Sequence, residues 1–175
     1  NFAQAIDQME QEGTYFCGEH GRPWFGTQPS VTRTANDYAE RLRDDEETVW
    51  EEIVERLRVQ RNKAKPFSRV YIAPGSTGDI PEIEEAGLVI MHPRFRWGRN
   101  TTDKSRSYKW VQDAVERKGA SQRINRNTLV FLLADQNQVE NLEAGVRYLL
   151  AWKMIQEQAE ELNLTAQQAR TANHK

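Results

Sequence analysis

A small α/β fold, its sheet mainly parallel and flanked by helices, is predicted by three observations. Thr128-Leu129-Val130-Phe131-Leu132-Leu133-Ala134 is an unbroken apolar run, and a run without alternation fits a strand covered on both faces, the place of a central strand in a parallel sheet. Gly87-Leu88-Val89-Ile90-Met91 reads as an earlier strand with a helix between the two, and that order makes a βαβ unit, which crosses over right-handed. Arg69-Val70-Tyr71-Ile72-Ala73 reads as a further strand of the same sheet.

From the start of the chain, Phe2, Ala3, Ile6 and Met9 share one face of a short helix that Gly13 stops. The aromatic, strand-prone segments 14–16 and 23–25 flank a turn containing Gly18 and Gly21, the pattern of a hairpin. Helix followed by hairpin is the order that closes a winged-helix unit. Pro29 and Ser30 then open a helix with Val31, Ala35, Tyr38, Ala39 and Leu42 on its inner side. The next helix starts on Asp44, Asp45, Glu46 and Glu47, acids that the helix dipole favours, and buries Val49, Trp50, Ile53, Val54 and Leu57. Its outer face sets Glu51, Glu52 and Glu55 against Arg56 and Arg58 and reads as a solvated surface joined by short-range ion pairs. Residues 62–66 are basic and aperiodic and mark a boundary. The expected organisation is therefore a helical part with an aromatic hairpin over residues 1–62, followed by an α/β part over residues 67–175.

In the α/β part, strand 69–73 runs into the loop Pro74-Gly75-Ser76-Thr77-Gly78-Asp79. A glycine-containing loop after a strand invites a phosphate-binding reading, but no Lys closes this one and Ile80-Pro81 follows in place of a helix start. The helix between the later strands is expected to bury Tyr108, Val111 and Val115 and to close at Gly119, with Arg117 and Lys118 in its last turn. Asp135 ends the apolar run and, with Gln138, reads as a capping box for the longest helix. That helix carries Val139, Leu142, Val146, Leu149 and Leu150 on one face, and Tyr148, Trp152, Ile155, Ala159 and Leu162 on roughly the opposite one. Two apolar faces need two covers. The face of Tyr148, Trp152, Ile155 and Ala159 either packs on the helices of residues 30–60 or docks on another segment or subunit, a homo-oligomer included.

The chain has 175 residues, 38% hydrophobic and 29% charged, and a net charge of -2, a balance with no bulk attraction for nucleic acid or membrane. No apolar run approaches a membrane span. The charge is unevenly placed: acids crowd the early helices, while Arg94, Arg96, Arg99, Lys104, Arg106, Lys109, Arg117, Lys118, Arg123 and Arg126 crowd the middle. A lone cysteine, Cys17, excludes an internal disulfide and favours a reducing, cytoplasmic setting. Cys17 and His20 have metal-ligand spacing, but zinc takes about four ligands, and only His92 and His174 remain, with no second Cys, so neither a metal nor another cofactor is expected. No Ser-His-Asp arrangement or acid pair at telling spacing points to catalysis. No signal peptide opens the chain, and Asn1 falls in what reads as mid-helix, as in a piece of something larger.

Trp24-Phe25-Gly26-Thr27-Gln28-Pro29-Ser30-Val31, Arg69-Val70-Tyr71-Ile72-Ala73-Pro74, Asn127-Thr128-Leu129-Val130-Phe131-Leu132-Leu133-Ala134-Asp135, Tyr148-Leu149-Leu150-Ala151-Trp152-Lys153 and Leu162-Asn163-Leu164 look like successive blocks of one family. Along nearly its whole length the chain resembles the large prokaryotic AAA-type ATP-binding proteins catalogued as domain of unknown function 499, often found near anti-phage defence genes. The resemblance implies a region downstream of the ATPase core, a hairpin similar to the wing of a winged-helix module, and the rest of the parent ATPase as partner. The family's P-loop and magnesium-holding acidic strand have no counterpart here, so no nucleotide-binding residue is carried over and no ATPase activity is expected of this chain.

The expected function is a non-catalytic accessory domain of a larger ATPase, making contacts within that protein or with its partners. A different class of function rests on Arg94, Phe95, Arg96, Trp97, Arg99, Lys104 and Arg106, which offer cations for phosphates and rings for stacking in one nucleic-acid-contacting loop. The plainer account of that loop is pairing with the acidic early helices. A third reading places a ligand pocket at the carboxyl ends of the parallel strands, where Gly75, Ser76, Thr77, Gly78, the loop after Met91 and Asp135 would converge.

Overall fold

The chain folds as an α/β protein of helices with small, mainly parallel sheets, and the computed structural model describes residues 2–19, 22–26, 30–63, 67–159, 162 and 164. In chain order the elements are α1 (Phe2–Glu12), β1 (Phe16–Glu19), β2 (Arg22–Phe25), α2 (Val31–Arg41), α3 (Glu46–Val59), β3 (Arg69–Ile72), β4 (Gly87–Ile90), β5 (Arg96–Trp97), α4 (Arg106–Glu116), β6 (Arg117–Lys118), β7 (Ser121–Gln122), β8 (Leu129–Leu132), β9 (Ala134–Asp135) and α5 (Val139–Glu157). They form two compact units, one made of Asn1–Val49 with Ala144–Lys175, the other of Trp50–Glu143. This replaces a boundary at residues 62–66. Two helices are the reason: α3 passes into the second unit at Trp50, and most of α5 belongs with the helical first part and not with the sheet that precedes it.

In the first unit, Gly13 ends α1 by donating its amide to the Met9 carbonyl at 2.8 Å. A Cβ at this position would lie 2.5 Å from that carbonyl oxygen and 2.8 Å from the Phe16 Cβ, so only glycine lets the chain turn so tightly into β1. The hairpin pairs Phe16 with Phe25 and Cys17 with Trp24; its first strand starts only at Phe16 and takes in residues 17–19, expected in the turn, its second starts at Arg22, one residue before segment 23–25, and His20 lies outside the described residues. Ser30 caps α2, its hydroxyl accepting from the Arg33 amide at 3.1 Å. Val31 and Ala35 then meet Ile155 of α5 in a core joined by Tyr38, Trp152, Leu162 and Leu164, and the Tyr38 hydroxyl donates to Gln158 Oε1 at 2.9 Å.

The second unit is built on a parallel sheet in the order β3-β4-β8. The central strand is β4, and its Val89 is fully buried. Tyr71, Val89 and Phe131 sit side by side in the register and pack with Ile80, Met91, Phe95, Ala114 and Trp110. Strand β8 therefore is an edge, not the centre, and its burial alternates: Val130 and Leu132 are 47% and 53% exposed while Leu129 and Phe131 face the core. The apolar run lacks alternation because its outward residues are apolar too. It also breaks at Leu133, where β9 leaves the sheet to pair with β5.

Helix α4 is turned from the expected register. Ser107, Trp110 and Ala114 face inward, and Tyr108 is exposed. Ser105 caps it, accepting from the Tyr108 amide at 3.2 Å, and that start fixes which side faces the sheet. The helix stops at Glu116; Arg117 and Lys118 belong to β6, which turns back through Gly119, at φ +59°, into β7. Arg123 is only 1% exposed, although the sequence places it among the surface cations. Its guanidinium donates to the carbonyls of Ala114 (2.8 Å), Ile80 (2.9 Å) and Pro81 (3.1 Å), tying the end of α4 to the segment after β3. Glu82 beside it accepts from the Asn125 amide at 2.7 Å, and this hydrogen bond holds its carboxyl below the usual glutamate range.

Candidate functional site

Past the end of β4 the chain makes a tight turn, with the His92 carbonyl accepting from the Phe95 amide at 2.9 Å and the His92 Nδ1 from the Arg94 amide at 3.2 Å. The turn drives Phe95 inward. At 4% exposure, with Trp110 5.9 Å away, it is a core residue and not a stacking ring. The guanidinium groups of Arg94 and Arg106 lie 5.7 Å and 5.4 Å from its ring centre, within cation–π range.

Arg96 and Trp97 follow as β5, opposite Ala134 and Asp135 of β9, and the Gln136 amide donates to the Trp97 carbonyl at 2.9 Å. Arg96 is likewise committed. Its Nη2 donates to Glu143 Oε1 at 3.2 Å, and the same oxygen accepts from Trp50 Nε1 at 2.9 Å. Glu143 is buried, and a buried carboxylate needs such partners, so Arg96 is its counter-charge and not a free cation.

What is left at the surface is a ring pair. Trp97 and Tyr108 are 39% and 37% exposed, with ring centres 6.2 Å apart and planes inclined by 22°. Gly98 donates to Thr101 Oγ1 at 2.9 Å and the Ser105 cap secures α4, so both rings stand on fixed backbone. Arg94, Arg99, Lys104, Arg106 and Lys109 are all exposed. Among the described residues none of these five pairs with a carboxylate, and Asp103 is the sole acid between residues 94 and 109. Asp37 of α2 and Glu52 and Glu55 of α3 pair within their own helices instead, as Arg33–Asp37 (3.2 Å), Arg56–Glu52 (2.8 Å) and Arg58–Glu55 (3.4 Å). Tyr108 and Lys109 complete the surface without having been singled out as site residues. The Ser105 cap was the available signal, since it sets Tyr108 in the first turn of α4 beside the loop.

The strand-end groups do not all meet. Trp97 and Asp135 are brought together by β5 and β9. Thr77 and Gly78 instead lie against the β6–β7 turn, where Thr77 Oγ1 accepts from the Gly119 amide at 3.1 Å and a Cβ on Gly78 would lie 3.8 Å from the Gly119 Cα, while a Cβ on Gly75 would lie 3.5 Å from Asp79 Oδ2. The Ser76 amide is taken by Asp79 Oδ2 at 2.8 Å. Asp135 does not cap α5; its Oδ1 accepts from the Asn137 amide at 2.7 Å in a turn that precedes the helix. Of the docking face, Ile155 is fully buried and Trp152 packs on its core, Ala159 is half-buried, and Tyr148 is 47% exposed. α2 occupies this face, which removes Trp152 and Ile155 from any docking surface. A separate open groove of about 730 Å³ lies between α1 and the hairpin, lined by Met9, Tyr15, Phe16 and Phe25 among others.

The fold and surface thus define an α/β module carrying a basic patch with an exposed aromatic pair. No family model, curated protein or solved structure matches the chain. Among the described residues no group of acids, histidines and cysteines is placed to hold a metal ion, and no helix is long and apolar enough to cross a membrane.

Proposed function

We propose that this chain is a non-catalytic accessory domain of a larger ATP-binding protein and that it contacts nucleic acid through the surface formed by residues 94–109. One observation carries the contact reading: Arg94, Arg99, Lys104, Arg106 and Lys109, all within one stretch of sequence, stand exposed without carboxylate partners among the described residues, in a chain whose net charge is -2. Exposed cations without carboxylate partners, five within one short stretch, are the electrostatic footprint of a phosphate-binding surface. The accessory reading is supported by the resemblance of successive sequence blocks to the ATP-binding family, and its non-catalytic part by the lack of a P-loop motif in this sequence.

The test is binding of the purified chain to labelled oligonucleotides as salt is raised. Neutralising about four phosphates would cost about 50-fold in single-strand affinity between roughly 50 and 200 mM salt. Arg99→Glu with Lys104→Glu is the informative variant, because neither side chain makes an internal ion pair, whereas a glutamate at position 96 would face Glu143. Loss of binding in that variant with an unchanged melting temperature is the expected result. Absence of binding at low salt, or hydrolysis of ATP by the chain, would overturn the proposal.

A further inference from the structure

We infer that the ligand is single-stranded nucleic acid, with unpaired bases stacking on Trp97 and Tyr108 while the surrounding cations hold the phosphates. This rests on the nucleic-acid reading above and adds the class of strand.

The argument lies in what the rings offer and to whom. In a duplex the base faces are stacked on each other, and protein reads the edges from the grooves or holds the backbone. Exposed indole and phenol faces therefore give a duplex little beyond what the cations already supply. A single strand presents free base faces, and an aromatic platform beside a basic track is the arrangement that binds it with little regard to sequence. Here the two rings are near-parallel, at 22° and 6.2 Å, and each keeps more than a third of its surface open to solvent. They are held from two sides: Trp97 by the ladder to Asp135 and the Gln136 amide, Tyr108 by the capped first turn of α4. A platform fixed before the ligand arrives loses less entropy on binding. The buried members of the loop serve the same end, since Phe95 in the core and Arg96 on Glu143 anchor the segment that presents Trp97. Stacking does not distinguish ribose from deoxyribose, so the shared chemistry is an unpaired base on a phosphate strand.

The experiment compares a DNA strand, an RNA strand and a duplex, each of roughly 20 nucleotides, by fluorescence anisotropy of a label on the oligonucleotide. Both single strands are expected to bind more tightly than the duplex; a preference between them would identify the source. Tyr108→Ala and Trp97→Ala should each weaken single-strand binding by about 5-fold or more and leave duplex binding unchanged. Trp97→Phe should restore most of the loss, and a melting curve for each variant checks that the fold is kept. Equal affinity for strand and duplex, or ring variants that bind like the parent, would overturn this inference while the salt-dependent contact stands. No binding to any of the three at low salt would overturn both.

Discussion

Arg123 carries a full charge into the second unit, and what meets it there is carbonyl oxygen: Ala114, Ile80 and Pro81 take its Nε and both Nη groups. Burying a guanidinium is costly, so replacing it with an apolar side chain of like length recovers some desolvation energy. The replacement also leaves three carbonyls without their donor, at about 1–3 kcal/mol for each that water does not reach. The second effect is the larger, and Arg123→Met is expected to destabilise the protein by about 3 kcal/mol, measured by urea unfolding. A midpoint within error of the parent would show that the carbonyls find other donors. Nothing in the local sequence announces this role. Arg123 stands in a basic stretch beside Lys118 and Arg126, and its burial follows only from a turn that brings residue 123 back beneath α4. Arg96 is hidden in the same way, since Glu143 lies 47 residues further on.

At the scale of elements, the strands were readable and their places in the sheet were not. Val89 and Phe131 are both apolar strand residues, and the pattern of each segment is the same whether it runs at the centre or at the edge. Order depends on which connection crosses over, and β3 reaches β4 through a loop while β4 reaches β8 through α4. The register of α4 was missed for a related reason: Ser107 is buried and polar, so an apolar stripe drawn through Tyr108, Val111 and Val115 outranks the true face of Ser107, Trp110 and Ala114. Strand β8 now makes a definite prediction. Its outward residues, Val130 and Leu132, are about half exposed, and an uncharged apolar edge strand is a template for pairing with other chains. Val130→Thr with Leu132→Lys should change stability by no more than about 0.5 kcal/mol per site and reduce light scattering on concentration. Scattering equal to that of the parent would place the association elsewhere.

For the whole molecule, the sequence signals the helical part and the α/β part but not the path between them. A cut at residues 62–66 looks sound because composition changes there, yet α5 returns to the helical unit, and Trp152 and Ile155 pack on Val31 and Ala35. No local pattern encodes a partner more than a hundred residues away. The face of Tyr148, Trp152, Ile155 and Ala159 looked able to dock elsewhere for the same reason. Trp152→Glu should consequently lower stability by several kcal/mol, about the cost of an unpaired charge forced into an apolar core. Hydrogen exchange should rise first in α2 and the later turns of α5. A variant that melts like the parent and differs only in its sizing profile would contradict the packing seen here.

The division of the chain also sets an order of events on the ribosome. Domains form as their residues emerge, at about 5–20 residues per second, and the unit of Trp50–Glu143 is continuous while the other must wait for Ala144 onward. The sheet and the Trp97–Tyr108 surface are complete while Val31 and Ala35, made much earlier, still lack Ile155 and remain uncovered. For those seconds the nascent protein holds a finished sheet unit together with an unfinished core, and the uncovered apolar side of α2 is the part open to wrong contacts.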